Sequence, residues 1–328
     1  MLHQSPEELG IGLVGVGRHG SRYVQHLLHD LPGVTLSAVC RRSGGVWLPG
    51  TKIPVYNDYC AMIADPRVHA IVVVTPPSLC HDICLSAVRA GKPILIEKPL
   101  STTGSQARAM VTAADKAGVL LMTAQTLRFD PTIMCLRDQL HSIGQLRSAT
   151  LTSHIETKAN VTSGTNGPVP LGALLELGVH LLDLIRFLTG KEIVEVHCTM
   201  DPLPSDGPDR SARVLLRTTD DIVCSLDIAR VETNRVGAVE WIGTAGKVTA
   251  DWPARRVTRT AANGTSQEWT VEPKATVLVT LETFIHAIRT GTPPPITGLD
   301  GCRAVEVVDA CYRSAERGGK WVQVETAR

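Results

Sequence analysis

The segment Gly15-Val16-Gly17-Arg18-His19-Gly20 has the spacing GxGxxG, directly after an apolar run at 11–14 and before a stretch with helical spacing. Each glycine has a task. Gly15 permits a tight turn, Gly17 lets backbone approach a pyrophosphate, and Gly20 lets helix and strand pack closely. The amino end of the helix that follows attracts negative charge. Such a turn, with Arg18 and His19 on it, can bind a dinucleotide. The same pattern arises by chance in glycine-rich turns, so the flanking strand and helix are what give it weight.

The second apolar run ends Cys40-Arg41-Arg42-Ser43, with no carboxylate to hold a ribose 2′-hydroxyl. Two guanidiniums and a hydroxyl suit a 2′-phosphate, because arginine binds phosphate bidentately. The expectation is therefore NADP, with NAD as the alternative; as solvated loop charges, Arg41 and Arg42 would not discriminate. Glu97-Lys98-Pro99 closes another apolar run. Ligands of open α/β sheets sit beyond the carboxyl ends of the strands, which puts Lys98 in the crevice. A surface Glu–Lys pair is the competing reading.

In the long apolar stretch 171–188, the polar residues Glu176, His180 and Asp183 fall at i, i+4 and i+7 on one helical stripe. Burying such a stripe is costly unless it is paired or lines a wet cavity. Glu176 and His180 are read as site residues, and Asp183 as paired internally with Arg186. Cys80 and Cys84 flank His81, but no second ligand pair at zinc spacing accompanies them, so no metal is expected.

These residues need a scaffold. Through residue 126 the chain alternates short continuous apolar runs with helical patterns, the signature of parallel strands covered on both faces. Thr75-Pro76-Pro77 breaks one such strand. From Gly144 onward longer strand patterns dominate (146–156, 193–200, 212–218, 222–229 and 236–243), joined by short turns that suggest antiparallel pairing. The expected fold class is α/β, with a doubly wound Rossmann domain over 1–126 and a second α/β domain over 127–328 for substrate binding and oligomerisation.

Composition narrows the partners. The 328 residues are 43% hydrophobic and 20% charged, as in globular proteins. A formal net charge of +1 argues against nucleic acid. No apolar stretch approaches the roughly 20 residues that span a bilayer, and the first ten residues do not resemble a signal peptide. Nine scattered cysteines then read as reduced thiols, and the expected location is cytoplasmic.

In order along the chain, GxGxxG, Thr75-Pro76-Pro77, Glu97-Lys98-Pro99, Arg128-Phe129-Asp130-Pro131 and the Glu176…His180 helix resemble the glucose–fructose oxidoreductase, inositol dehydrogenase and rhizopine-catabolism family (Gfo/Idh/MocA). The resemblance covers almost the whole chain. It implies a Rossmann domain followed by an α/β domain whose open, largely antiparallel sheet commonly forms the interface of a homodimer or homotetramer. The family's lysine matches Lys98, often followed by a cis bond to the proline matching Pro99, and its catalytic histidine matches His180. The carboxylate four residues earlier is usually aspartate, where this chain has Glu176. The usual histidine of the TPxxxH pattern is Cys80 here, with His81 beside it.

The implied chemistry is hydride transfer between a nicotinamide cofactor and a sugar, polyol or related hydroxyl or carbonyl compound. An imidazole titrates near neutral pH and suits the acid/base, His180. An ammonium at Lys98 stabilises negative charge developing on oxygen. Glu176 would hold His180 or bind a substrate hydroxyl, Arg128 and Lys158 would line the substrate side, and 160–170 would act as a lid. Two other readings stay open: a catalytically silent NADP-binding regulatory or sensor protein, and a same-fold reductase of a semialdehyde, imine or dihydrodiol.

Overall fold

The computed structural model describes residues 8–42, 52–156 and 171–325. The chain divides into two compact units, 1–125 with 275–302, and 126–274 with 303–328. Residues 275–302, which the sequence reading placed in the second domain, group with the first; apolar helical spacing alone does not say which core a helix joins.

The first unit runs β1 (Leu9–Val14), α1 (Gly20–His29), β2 (Val34–Cys40), β3 (Val55–Tyr56), α2 (Tyr59–Ala64), β4 (Ala70–Val73), α3 (Cys80–Arg89), β5 (Ile94–Glu97), α4 (Gly104–Ala117) and β6 (Leu121–Ala124). Among the described residues the strands form a six-stranded sheet in the order β3-β2-β1-β4-β5-β6, every pair parallel. Every residue of β1, β4, β5 and β6 is buried, as continuous apolar runs between helical layers require. The helices start and stop on local chemistry. Thr103 caps α4 through a hydrogen bond from the Gln106 N–H, and Gly118 ends it in the left-handed conformation.

The second unit contains α5 (Pro131–Leu140), β7 (Leu146–Glu156), α6 (Val179–Thr189), β8 (Ile193–Asp201), β9 (Ser211–Thr218), β10 (Val223–Val231), β11 (Val236–Gly243), β12 (Gly246–Asp251), β13 (Arg256–Ala261) and β14 (Ser266–Thr270). Helix α7 (Thr276–Thr290) belongs to the first unit, the division falls inside α8 (Gly298–Glu316), and β15 (Val322–Gln323) closes the sheet. That sheet has nine strands among the described residues, in the order β14-β13-β12-β11-β7-β10-β9-β8-β15.

One pairing departs from the antiparallel expectation. β7 and β10 run parallel, with α6 and two further strands between them in sequence. Period-two burial is plain in β9, where Ala212, Val214 and Leu216 are buried and Arg213, Leu215 and Arg217 are exposed. One face therefore packs on the leucine-rich α6 segment, α5 and the later part of α8. The opposite face carries Leu215, Val223 and Ile242, each about two-fifths exposed.

Candidate active site

The GxGxxG turn joins the carboxyl end of β1 to α1. Gly15 lies at φ +94°, and a Cβ there would stand 2.3 Å from the Val74 carbonyl oxygen. A Cβ at Gly20 would meet the Gly15 carbonyl oxygen at 2.1 Å, whereas nothing lies within 4 Å of one at Gly17. The turn is thus closed where helix and strand meet and open where a pyrophosphate would approach the backbone, so it fits that group. Arg18 and His19 are exposed on it.

Glu97, at the carboxyl end of β5, is buried and gathers its neighbours. Its Oε1 accepts from the Tyr23 hydroxyl at 2.6 Å and lies 2.6 Å from His19 Nε2. Its Oε2 accepts the Lys98 backbone N–H at 3.0 Å. Burial pushes the carboxyl up, but His19, Tyr23 and the Lys98 charge outweigh it and hold Glu97 below its ordinary value. His19 of the dinucleotide turn and Glu97 of the Glu97-Lys98-Pro99 strand end are therefore tied to each other. Tyr23 was missed by the sequence reading; its place one helical turn after His19 is the signal that could have found it. Lys98 is half-buried, and its peptide bond to Pro99 is cis, as the resemblance implied.

Beyond β4, the Cys80 thiol lies 3.7 Å from the Thr75 hydroxyl and 3.8 Å from the Pro76 carbonyl oxygen, and Pro77 opens the short turn leading into α3. Burial pushes Cys80 up to about 12, which keeps it a thiol at neutral pH. His81 Nδ1 lies 2.9 Å from Oδ1 of its neighbour Asp82. At the end of β2, Arg41 is half-buried and Arg42 exposed, while Ser43 lies outside the described residues. A cavity of about 640 Å³ among Gly91, Gly118 and Gly291 lies at the amino ends of β5 and β6, the opposite strand ends from the turn.

In the second unit, the stretch expected to be one α-helix begins with a π turn over Leu174–Gly178 that runs into α6. The π turn carries Glu176, and such single-turn widenings recur at functional sites. Its start is anchored by Asp209. The Asp209 carboxylate accepts the Leu174 N–H at 2.8 Å, its main-chain oxygen accepts the Ala173 N–H at 2.8 Å, and Tyr312 donates to Oδ1 at 3.4 Å. Burial raises the Asp209 carboxyl. Asp209 comes from a loop without periodic pattern, so sequence gave no sign of it.

Glu176 is ion-paired with Arg230, and the Arg230 Nη2 also donates to the Leu171 carbonyl at 3.0 Å. His180, half-buried, follows on the same helix. Asp183 holds Arg128 in a buried fork, Nε to Oδ2 at 2.7 Å and Nη2 to Oδ1, a partner the sequence reading did not expect, and Arg186 donates to Glu192 at 2.7–2.9 Å. Arg128, expected on the substrate side, is buried and spends those donors inside the core, with its guanidinium 5.1 Å from the Phe187 ring. Lys158 and the 160–170 segment lie outside the described residues. Among the described residues, no group of three or more His, Cys, Asp and Glu could hold a metal ion, and no helix is long and apolar enough to cross a membrane.

Comparison with known proteins agrees with the two-domain α/β fold. Residues 9–125 match the model of an oxidoreductase family with an NAD-binding Rossmann fold, and residues 140–249 match the GFO/IDH/MocA C-terminal domain. An inositol 2-dehydrogenase of Rubrobacter xylanophilus is 26% identical over 98% of this chain and 94% of its own length. Among solved structures, an aldose-aldose oxidoreductase from Caulobacter crescentus superposes with a TM-score of 0.83 at 23% identity, covering 96% of this chain and 99% of that one. A levoglucosan dehydrogenase in complex with NADH and levoglucosan gives 0.84 at 21% identity, covering 97% and 100%.

Proposed function

The chain belongs to the Gfo/Idh/MocA family of oxidoreductases with an NAD-binding Rossmann fold, and from that premise we propose that it moves a hydride between a nicotinamide dinucleotide and a CH–OH carbon of a sugar or polyol. The observation that carries this reading lies in one sheet. An open GxGxxG turn at the carboxyl end of β1 and Lys98 at the carboxyl end of β5 are linked through His19 and Glu97. The names of the relatives, an inositol dehydrogenase and a levoglucosan dehydrogenase, support the substrate class.

A bound nicotinamide supplies the hydride acceptor. For the rest, His180 takes the hydroxyl proton in oxidation and returns it in reduction, and Lys98 supports the charge that develops on the substrate oxygen. Glu97 orients the Lys98 backbone. Glu176 contacts a substrate hydroxyl. Arg41 and Arg42 favour NADP over NAD, since the end of β2 offers two cations and no carboxylate. The protein works in the cytoplasm as a homodimer or homotetramer.

The test is turnover. A panel of polyols and sugars is screened by nicotinamide absorbance with both cofactors. On an active substrate, His180→Asn lowers kcat by roughly 10²–10⁴-fold and removes the imidazole limb of the pH profile, with cofactor affinity kept. Lys98→Met is comparably damaging. Near-normal kcat with an unchanged profile in His180→Asn overturns the assignment.

A further inference from the structure

The π turn that carries Glu176 rests on β10. Cys224, Leu226 and Ile228 form the buried row of that strand, and Ile228 reaches beneath Gly178, where a Cβ would stand 3.1 Å from its Cδ1. Arg230 is the next residue in that row. Its backbone N–H donates to the Arg210 carbonyl at 2.8 Å, which fixes the base of the side chain. The stem thus continues the packed row, and the guanidinium emerges beside Glu176, one turn before His180.

The pair is reachable from solvent, with the Arg230 and Glu176 side chains 23% and 39% exposed. A guanidinium has five N–H donors. Among the described residues only Nη2 is engaged, by the Glu176 carboxylate and the Leu171 carbonyl. The donors on Nε and Nη1 stay available to a ligand, next to a carboxylate that can accept from one.

We propose that the Arg230–Glu176 pair determines the charge class of the substrate: the guanidinium and carboxylate together read adjacent hydroxyls of uncharged polyols, and the Glu176 charge disfavours sugar acids. One substrate hydroxyl accepts from the guanidinium while its neighbour donates to the carboxylate. A carboxylate ligand reaching for the same guanidinium meets the Glu176 charge at close range, and like charges repel there. This inference rests on the reading of His180 as the acid/base of the site.

The experiment uses the full chain with saturating cofactor. The neutral probes are myo-inositol and D-glucose, and the acidic probes are D-glucuronate and D-gluconate. Wild type is expected to turn over a neutral probe in preference to an acid. Arg230→Met should raise KM for that probe roughly 10- to 100-fold with much less change in kcat, the fold-loss of a hydrogen bond to a charged group. Arg230→Lys should recover part of it, since the charge remains but the fork is lost. Glu176→Gln should shift the ratio of kcat/KM towards the acids by about tenfold or more. Thermal melting and cofactor titration check that each variant is folded; should Arg230→Met fail to fold, Arg230→Lys and Glu176→Gln decide.

An active wild type with KM unchanged within about twofold in Arg230→Met, or one that prefers an acid, overturns this inference and leaves the proposed function standing. A wild type inactive on every probe and indistinguishable from His180→Asn overturns both.

Discussion

Glu97 collects three donors on two carboxylate oxygens, and all three favour its ionised form. Because its folded pKa lies below the ordinary value near 4.5, its contribution is present above that value and is lost as pH falls through the folded pKa. In paired urea titrations, wild-type stability should fall more steeply than that of Glu97→Gln as pH drops below that range; parallel curves would contradict the assignment. The same scale decides cofactor choice. Arg41→Asp should reverse a preference for NADP(H), since a carboxylate repels a 2′-phosphate and accepts from a 2′-hydroxyl. Nicotinamide fluorescence titrations with both cofactors measure it, and tighter NAD(H) binding by the unmodified protein would sink the NADP reading. Asp183 pairs with a buried guanidinium: Asp183→Asn removes its charge from beside Arg128 and should cost about 3–5 kcal/mol in stability. A stability loss well below 1 kcal/mol would show that the fork matters little.

Between Leu171 and Thr189, a single helical element is held at its start by groups far away in sequence. Ala173 and Leu174 are the first N–H groups of that element, which an isolated helix would leave unsatisfied. Asp209 takes both, one on its main-chain oxygen and one on its carboxylate. There is no slack in the fit, since a Cβ at Gly172 would stand 1.8 Å from Asp209 Oδ1. Asp209→Ala should therefore destabilise the protein by roughly 1–3 kcal/mol, the range for losing a helix cap and a buried acceptor. Hydrogen exchange should show the loss concentrated at residues 173–178. Uniform loss across α6 and the sheet would argue that Asp209 acts on the whole unit instead.

For the molecule as a whole, the exposed face of the nine-stranded sheet raises the question of assembly. Leu215, Val223 and Ile242 stand on it among Arg213, Arg217, Asp227 and Glu240, a mixed face of the kind that subunit contacts bury. A homo-oligomer is expected by light scattering at micromolar concentration, with Leu215→Asp shifting it towards monomer. A wild-type monomer mass would refute this.

Much of the scaffold was legible in the sequence because it is written in local chemistry. Glycine turns, proline breaks and apolar periodicity gave the parallel first domain, the GxGxxG turn, and strands β7 and β11 to their ends. The family motifs added the cis bond before Pro99. Strands β12 to β14 went unread, and the grouping of 275–302 with the first unit is a matter of packing that periodicity does not carry. The polar partners were decided only by tertiary structure. Asp183 found Arg128, 55 residues away; Glu176 found Arg230, 54 residues away; and Leu174 found Asp209. A helical stripe shows which face a carboxylate occupies. Which donor meets it depends on how distant segments pack, because a buried charge takes the partner that the surrounding core brings within hydrogen-bond reach.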